Sequence, residues 1–254
     1  MDISDKRVVL TGAAGGMGSI LAAELAKRGA KLALVDANGQ ALEKVAASIV
    51  DAHCVSGDLS SASECQRVAS QCSELLGGID LLINLAGVNS FAAFEDESAE
   101  KIELMMHVNL LAPMWLCRAF LPTMLDQSSA RIVNVGSIFG SIGFAYFTTY
   151  SATKFGLRGF SEALRRELAD SGVEVTYVAP RAVKTAMNSD AVNRMGEATG
   201  MNMDEPQMVV EKIIAAIESD RKDVYLGFPE SLFVRINAIL PRIVDGSVAA
   251  KTRI

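Results

Sequence analysis

Short apolar runs of strand length alternate with helix-period segments along this chain, and that alternation limits the possible folds more than any other feature. The apolar runs fall at 7–10, 31–35, 52–55, 81–84, 131–135, 173–178 and 224–226. Between them, stretches such as 19–28, 41–49 and 155–169 repeat apolar residues every three or four positions, which is the period of a helix with one buried face. Strands joined through helices run parallel and are covered on both sides. The spacing therefore predicts an α/β chain: a doubly wound sheet of about seven parallel strands with helices on both faces. Ser61 followed by Glu64 has the form of a capping box, and Gly29, Gly77 and Gly172 stand where helices should end. No Pro/Ser-rich linker, low-complexity tract or solenoid repeat interrupts the sequence, so residues 1–254 are expected to form one domain.

Two segments break the rhythm. Residues 185–205 are polar, carry Met187, Met195, Met201 and Met203, and lie just before Pro206; they read as a mobile lid. Residues 228–254 follow the last strand as a C-terminal extension with an apolar stripe of its own.

Half of the 254 residues are hydrophobic, 21% are charged, and the net charge is −6. A large core is easily built from this composition. The acidic balance excludes nucleic acid as the main partner, because phosphate binding needs a basic face. Cys54, Cys65, Cys72 and Cys117 show no metal-ligand spacing, and His53 and His107 do not complete a zinc set. No metal is expected, and the cysteines read as buried thiols in a reducing compartment. The N-terminus runs straight into a strand without the apolar core of an export signal. No run of about 18 apolar residues is present. Cytoplasmic location is the resulting expectation.

The first strand leads into Thr11-Gly12-Ala13-Ala14-Gly15-Gly16-Met17-Gly18 and then a helix. Glycines let the backbone turn sharply and approach a pyrophosphate, while the helix N-terminus offers N–H donors and a favourable dipole. The second strand ends at Asp36, eighteen residues past Gly18. A carboxylate there accepts hydrogen bonds from the adenosine ribose and repels a 2′-phosphate, so NAD is favoured over NADP. The alternative is a solvated Asp36 beside a helix cap at Asn38.

Tyr150 and Lys154 are one helical turn apart and share a face. A tyrosine is a poor proton donor at neutral pH, with an unperturbed pKa of about 10; a neighbouring ammonium is expected to lower it, which suits proton exchange with an alcohol or carbonyl. Ser137 follows a strand end, where open parallel sheets place ligands. Asn109, between helical stretches, can interrupt the helix and hold a water. Taken singly, these residues also read as a solvated helix face, a turn serine and an ordinary helix break.

Together with Asp58-Leu59, Asn84-Leu85-Ala86-Gly87 and the segment from Pro180 to Thr185, these residues occur in an order and spacing similar to the short-chain dehydrogenase/reductase family, in its small single-domain branch, with Ser137 thirteen residues before Tyr150. The resemblance runs from residue 7 to about 185. It implies a Rossmann-type fold and hydride transfer between a nicotinamide cofactor and an alcohol or ketone, with Tyr150 as general acid/base. It also implies that Lys154 binds the nicotinamide ribose and depresses the tyrosine pKa, that Ser137 polarises the substrate carbonyl, and that Asn109 positions a relay water. By the same resemblance Gly12, Gly16, Met17, Gly18, Asp58, Leu59, Asn84, Ala86, Gly87, Pro180, Val183 and Thr185 line the cofactor. Three positions depart from the family pattern: Leu85 replaces an asparagine, Gly136 a small hydroxyl or alanine, and Arg181 a glycine. Arg181 is expected to point outward, the alternatives being an acidic substrate or a cofactor phosphate.

Phe91, Phe94, Phe139, Phe144, Tyr146 and Phe147 lie in loops near this site. With the lid methionines they suit a bulky apolar alcohol or ketone of steroid, terpenoid or acyl-chain type, or they simply pack the core or a subunit interface. The competing readings are an NADPH-dependent carbonyl reductase and a non-catalytic nucleotide sensor. A homodimer or homotetramer through helices near 111–125 and 155–169 is expected. The C-terminal stripe of Leu232, Phe233, Ile236, Ile239, Leu240, Ile243 and Val244, with Arg235 and Arg242 beside it, is expected to pack on its own domain or on another subunit; peripheral membrane contact is the less favoured reading.

Overall fold

The computed structural model describes residues 1–219 and 221–252, with side chains described to residue 246. Seven strands form one sheet: β1 (Arg7–Thr11), β2 (Lys31–Asp36), β3 (Ala52–Ser56), β4 (Leu81–Asn84), β5 (Ala130–Val135), β6 (Val173–Ala179) and β7 (Asp223–Tyr225). All neighbouring pairs are parallel, in the order β3-β2-β1-β4-β5-β6-β7. The helices are α1 (Gly16–Lys27), α2 (Gly39–Ala46), α3 (Ala62–Leu76), α4 (Ala99–Met106), α5 (Ala112–Leu125), α6 (Thr148–Glu167), α7 (Asp190–Thr199), α8 (Pro206–Glu218), α9 (Glu230–Ile239) and α10 (Pro241–Thr252).

Burial on both faces explains why β1 and β4 hold unbroken apolar runs, Val8–Leu10 and Leu81–Ile83, rather than alternating ones. One core layer joins α1, α2 and α8 to the sheet through Leu21, Leu25, Leu42, Val209 and Ile213. The other joins α3, α5 and α6 through Val68, Cys72, Leu116, Phe120 and Leu164. The expected elements are present: β4 has the expected bounds, the other strands differ by one residue at one end or, in β7, at both, and α6 begins seven residues earlier than its apolar period indicates. Ser61 caps α3 by accepting from the Glu64 amide at 3.2 Å, and Gly77 ends it with φ +67. Gly172 serves differently: a Cβ there would come within 2.9 Å of the Gln127 carbonyl, so close backbone approach, not a left-handed turn, requires it.

α4 and α5 are joined through a π-helical turn, His107–Leu111. The resulting rod, Ala99–Leu125, is long and apolar enough to cross a membrane by length and composition alone, although the sequence reading found no such run. Its α5 portion buries Leu116, Cys117, Phe120 and Met124 against the sheet. The strand order reverses between β1 and β4, so the connections that leave those two strands pass to opposite faces of the sheet and open the crevice in which open α/β sheets hold ligands.

Candidate active site

The crevice begins at the turn after β1. Gly12 has φ +70, and a Cβ there would lie 2.8 Å from the Ala86 Cα. A Cβ at Gly18 would fall 2.0 Å from the Gly12 carbonyl oxygen. Side chains are thus excluded from both positions, and the backbone stays close to whatever lies above it. Thr11 ties the turn to the end of β4: its Oγ1 accepts from the Leu85 and Ala86 amides at 3.1 Å each. The first turn of α1 carries no acidic residue, and Gly15 offers no side-chain cap. Its N–H groups are therefore left for an anion in the cleft, as a pyrophosphate requires.

Gly12, Gly16, Met17 and Gly18 line this cleft of about 350 Å³, together with Asp36, Asp58, Leu59, Ala86, Gly87 and Thr185. Asp36 stands at the end of β2, where Oδ2 accepts from the Ala14 amide at 3.0 Å and Oδ1 from the Asn38 amide at 2.9 Å. Asn38 is also the α2 cap, accepting from Ala41 at 3.1 Å. The cap at Asn38 is thus present, and two backbone amides hold Asp36 at the cleft rim. Asp58 accepts from the Ser60 amide at 3.0 Å. Asn84 is placed differently. Its side chain turns into the sheet and donates to Asn134 Oδ1 at 2.8 Å, so it supports the cleft from beneath rather than lining it.

A second cavity of about 310 Å³ adjoins the first and shares Met17, Leu85, Gly87 and Thr185 with it. Ser137, Tyr150, Lys154, Pro180 and Val183 line it, along with Ile138, Ile142, Phe139, Phe144 and Phe147. Phe139 stacks on Phe144 at 4.9 Å, and Phe139 and Phe147 meet the Tyr150 ring edge-on. Phe139, Phe144 and Phe147 thus both pack together and wall the cavity, while Phe91 packs on Tyr146 and Phe147 without lining it. Phe94 is exposed in a short turn. The segment at 185–205 forms α7, started by Ser189 accepting from Val192 and ended at Gly200 with φ +62. Val192 and Met195 pack onto Phe144 and Phe147.

At the junction of cleft and cavity, Ser137 Oγ accepts from the Phe139 amide at 3.1 Å, and the Ser137 hydroxyl acts on the Tyr150 phenol, drawing its pKa down against burial. Lys154 Nζ donates to the Val135 carbonyl at 3.2 Å and lies 5.6 Å from the centre of the Tyr150 ring. A Cβ at Gly87 would stand 3.3 Å from Asn109 Oδ1 and 3.7 Å from Lys154 Nζ, so these groups meet beside the cleft. Asn109 sits in the π-helical turn, which confirms the expected interruption of the helix. Its side chain is engaged, however: Oδ1 accepts from the Val88 amide at 2.8 Å, while Nδ2 donates to the Val88 carbonyl at 2.8 Å and to Thr153 at 3.2 Å.

The electrostatics differ from the sequence expectation. Burial pushes the Tyr150 phenol up to about 12, with the Ser137 hydroxyl opposing the shift, and burial pushes the Lys154 ammonium down to about 8. In the protein alone, loss of water outweighs the influence of the ammonium on the phenol. Burial thus favours the neutral form of both groups.

Arg181 points neither outward nor to a ligand phosphate. Its Nε and Nη2 donate to the buried Asp204 carboxylate at 3.0 and 2.6 Å, and Nη1 donates to Glu230 at 3.0 Å and to the Phe228 carbonyl at 3.2 Å. It thus clasps the chain after β6 to the end of the 185–205 segment and to the start of α9.

Sequence reasoning missed one supporting residue. Tyr177 on β6 is fully buried, and its hydroxyl accepts from the Ser137 amide at 3.5 Å and donates to the Ser137 carbonyl at 3.3 Å. The ring occupies space that a side chain at 136 or 140 would need: a Cβ at Gly136 would fall 2.2 Å from its hydroxyl, and one at Gly140 2.5 Å. The departure at Gly136 was the available signal. Gly136→Ala is expected to cost roughly 1–3 kcal/mol in the native background and much less when combined with Tyr177→Ala. A double-mutant cycle by denaturant unfolding checks this, and additive effects would separate the two positions.

Comparison with known proteins agrees with this geometry. The short chain dehydrogenase family matches residues 6–196. A ketoacyl reductase, HetN, from Nostoc sp. is 32% identical over 254 aligned residues, which cover 96% of this chain and 88% of that protein. Dehydrogenase/reductase SDR family member 7B of Bos taurus is 31% identical over 264, covering 97% and 81%. A short chain dehydrogenase/reductase of Burkholderia phymatum, solved with NAD, superposes with a TM-score of 0.86 at 24% identity over 96% of both chains. A short chain dehydrogenase of Burkholderia cenocepacia, solved with NADP, does so at 0.84 and 25% identity over 98% of this chain and 99% of that one. The fold is thus shared with proteins that hold either nucleotide, and by the match over most of its length this chain belongs to the short-chain dehydrogenase family of oxidoreductases.

Proposed function

We propose that this oxidoreductase interconverts a secondary alcohol and a ketone carried on a bulky apolar skeleton, of steroid, terpenoid or acyl-chain type, with NAD as its cofactor. The observation that carries this reading is the meeting of the Ser137 and Tyr150 hydroxyls and the Lys154 ammonium where a glycine-turn cleft opens into an apolar cavity. The nicotinamide, when bound, supplies or accepts the hydride. A carbonyl oxygen placed between Ser137 and Tyr150 takes a hydrogen bond from the serine and the proton from the phenol. Lys154 then stands beside the phenolate that remains and stabilises it, while its other N–H groups are available to the nicotinamide ribose. Asn109 acts by holding Val88 and Thr153, which fixes the loop after β4 against the first turn of α6. Tyr177 holds Ser137 in register.

Asp36 supports NAD, since its carboxylate would face a 2′-phosphate; an NADPH-dependent carbonyl reductase fits this corner less well. A non-catalytic nucleotide sensor would have no use for the buried tyrosine and lysine, both of which are present. The exposed apolar side chains Met114 and Leu125 on α5 and Phe155 on α6 support a homo-oligomer formed through those helices.

Tyr150→Phe is expected to lower turnover by roughly 10²–10⁴-fold and leave NAD affinity nearly intact, read by reduced-nicotinamide absorbance with a panel of apolar ketones and by cofactor titration. Equal activity would remove Tyr150 from the mechanism, and NAD binding without turnover of any alcohol or ketone by the native protein would favour the sensor. Asp36→Ala is expected to shift the ratio of kcat/KM for the two cofactors toward NADP by about tenfold, or 1.4 kcal/mol. An unchanged ratio would refute the ribose assignment.

A further inference from the structure

The helices α9 and α10 are apolar on two opposite sides. Their inner side is used: Val234 and Val244 are buried with Ile138 and Ile142, and Phe233 and Val244 wall the apolar cavity. Among the described residues, nothing covers their outer side. Phe228 in the preceding turn is 75% exposed, and Ile239 and Ile243 are 77% and 65% exposed. Leu232 and Leu240 are exposed as well. Leu232, Arg235 and Ile239 fall three and four residues apart, so they share one face of α9. A helix that is apolar on both sides belongs to a buried or membrane-contacting environment, and an exposed apolar patch of this kind marks an interaction site.

Charge separates the possible occupants. The chain carries −6 overall, yet residues 228–254 hold four cations (Arg235, Arg242, Lys251 and Arg253) against two carboxylates, Glu230 and Asp245. Glu230 is bound to Arg181 and faces inward, whereas Asp245 is exposed on α10. Arg235 and Arg242 are both exposed within the apolar surface. A second copy of this chain docking by the same face would bring four arginines against only two aspartates, Asp245 from each copy, into one desolvated patch, a costly arrangement. Anionic headgroups would neutralise them instead, while the apolar side chains enter the acyl boundary.

We propose that the outer face of α9 and α10 docks this protein on an anionic lipid surface. The surface and the cavity are then two sides of one pair of helices, and an apolar molecule dissolved in the bilayer lies next to the cavity wall. That delivery role rests on the apolar-substrate reading; the docking does not.

The test uses the full chain in flotation with vesicles of phosphatidylcholine alone or mixed with phosphatidylglycerol. Binding to the mixed vesicles is expected to be roughly tenfold tighter than to phosphatidylcholine and to weaken with salt. Ile239→Glu combined with Ile243→Glu should lower it by at least about tenfold, with an unchanged melting temperature. Arg235→Gln combined with Arg242→Gln, which keeps the apolar surface, should remove the preference for phosphatidylglycerol. Native protein that stays in the aqueous fraction with both vesicles overturns the proposal. So does a folded glutamate variant that floats as well as the native chain. A glutamate variant that turns a sedimenting dimer into a monomer without changing flotation would assign the face to a second copy and likewise overturn it.

Discussion

Lys154 holds a cationic group where only 4% of the residue is exposed, at the carboxyl end of β5, with its ammonium on the Val135 carbonyl. An ammonium out of water is costly unless polar groups replace the lost hydration. The surrounding structure can be understood from that requirement. The sheet reverses its order two strands away and opens a cleft, Gly87 leaves room for the ammonium beside Asn109, and the Tyr150 ring lies against it. The same exclusion of water raises the phenol to about 12 and lowers the lysine to about 8. Protein side chains alone thus set a proton donor beside a cation that is easily discharged, and a dinucleotide in the cleft brings further polar groups to both.

Two local exchanges hold this arrangement in place. Behind Ser137, two glycines give up side-chain volume that the Tyr177 ring takes, and the tyrosine hydroxyl bonds both backbone groups of the serine. A hydroxyl satisfied as donor and acceptor in the core fixes a backbone more firmly than apolar packing does. On the other side of the cavity, Arg181 draws Asp204, Glu230 and the Phe228 carbonyl together. A guanidinium has five donors in a rigid plane and can join three separate pieces of chain at once. The 185–205 segment and the C-terminal helices are thereby tied to the loop after β6, which borders the proposed nicotinamide position.

Much of this was legible in the sequence, because it is local. The seven strands declare themselves as apolar runs, the glycine turn follows the first of them, and Tyr150 and Lys154 are a helical turn apart. What was not legible depends on residues far apart in the chain. Nothing in the sequence links Gly136 to Tyr177, although the glycine was visible as a departure. Arg181 was visible too, but its partners lie 23 and 49 residues away. Asn84 stands in the expected motif, yet its side chain follows the alternation of β4 into the sheet and meets Asn134 across the register. The effect of Lys154 on Tyr150 was misjudged for a similar reason: spacing shows that the groups are neighbours, and only three-dimensional burial shows how little water either keeps.

Burial, not the phenol–ammonium attraction, sets the protonation of the pair in the cofactor-free protein. Carbon-13 NMR of the protein labelled at lysine Cε tests it directly, with Lys154→Arg identifying the resonance. The expected result is one lysine titrating near pH 8, apart from the others near the ordinary value of about 10.4. A Lys154 signal that titrates with the surface lysines would show that burial does not set the protonation of the pair.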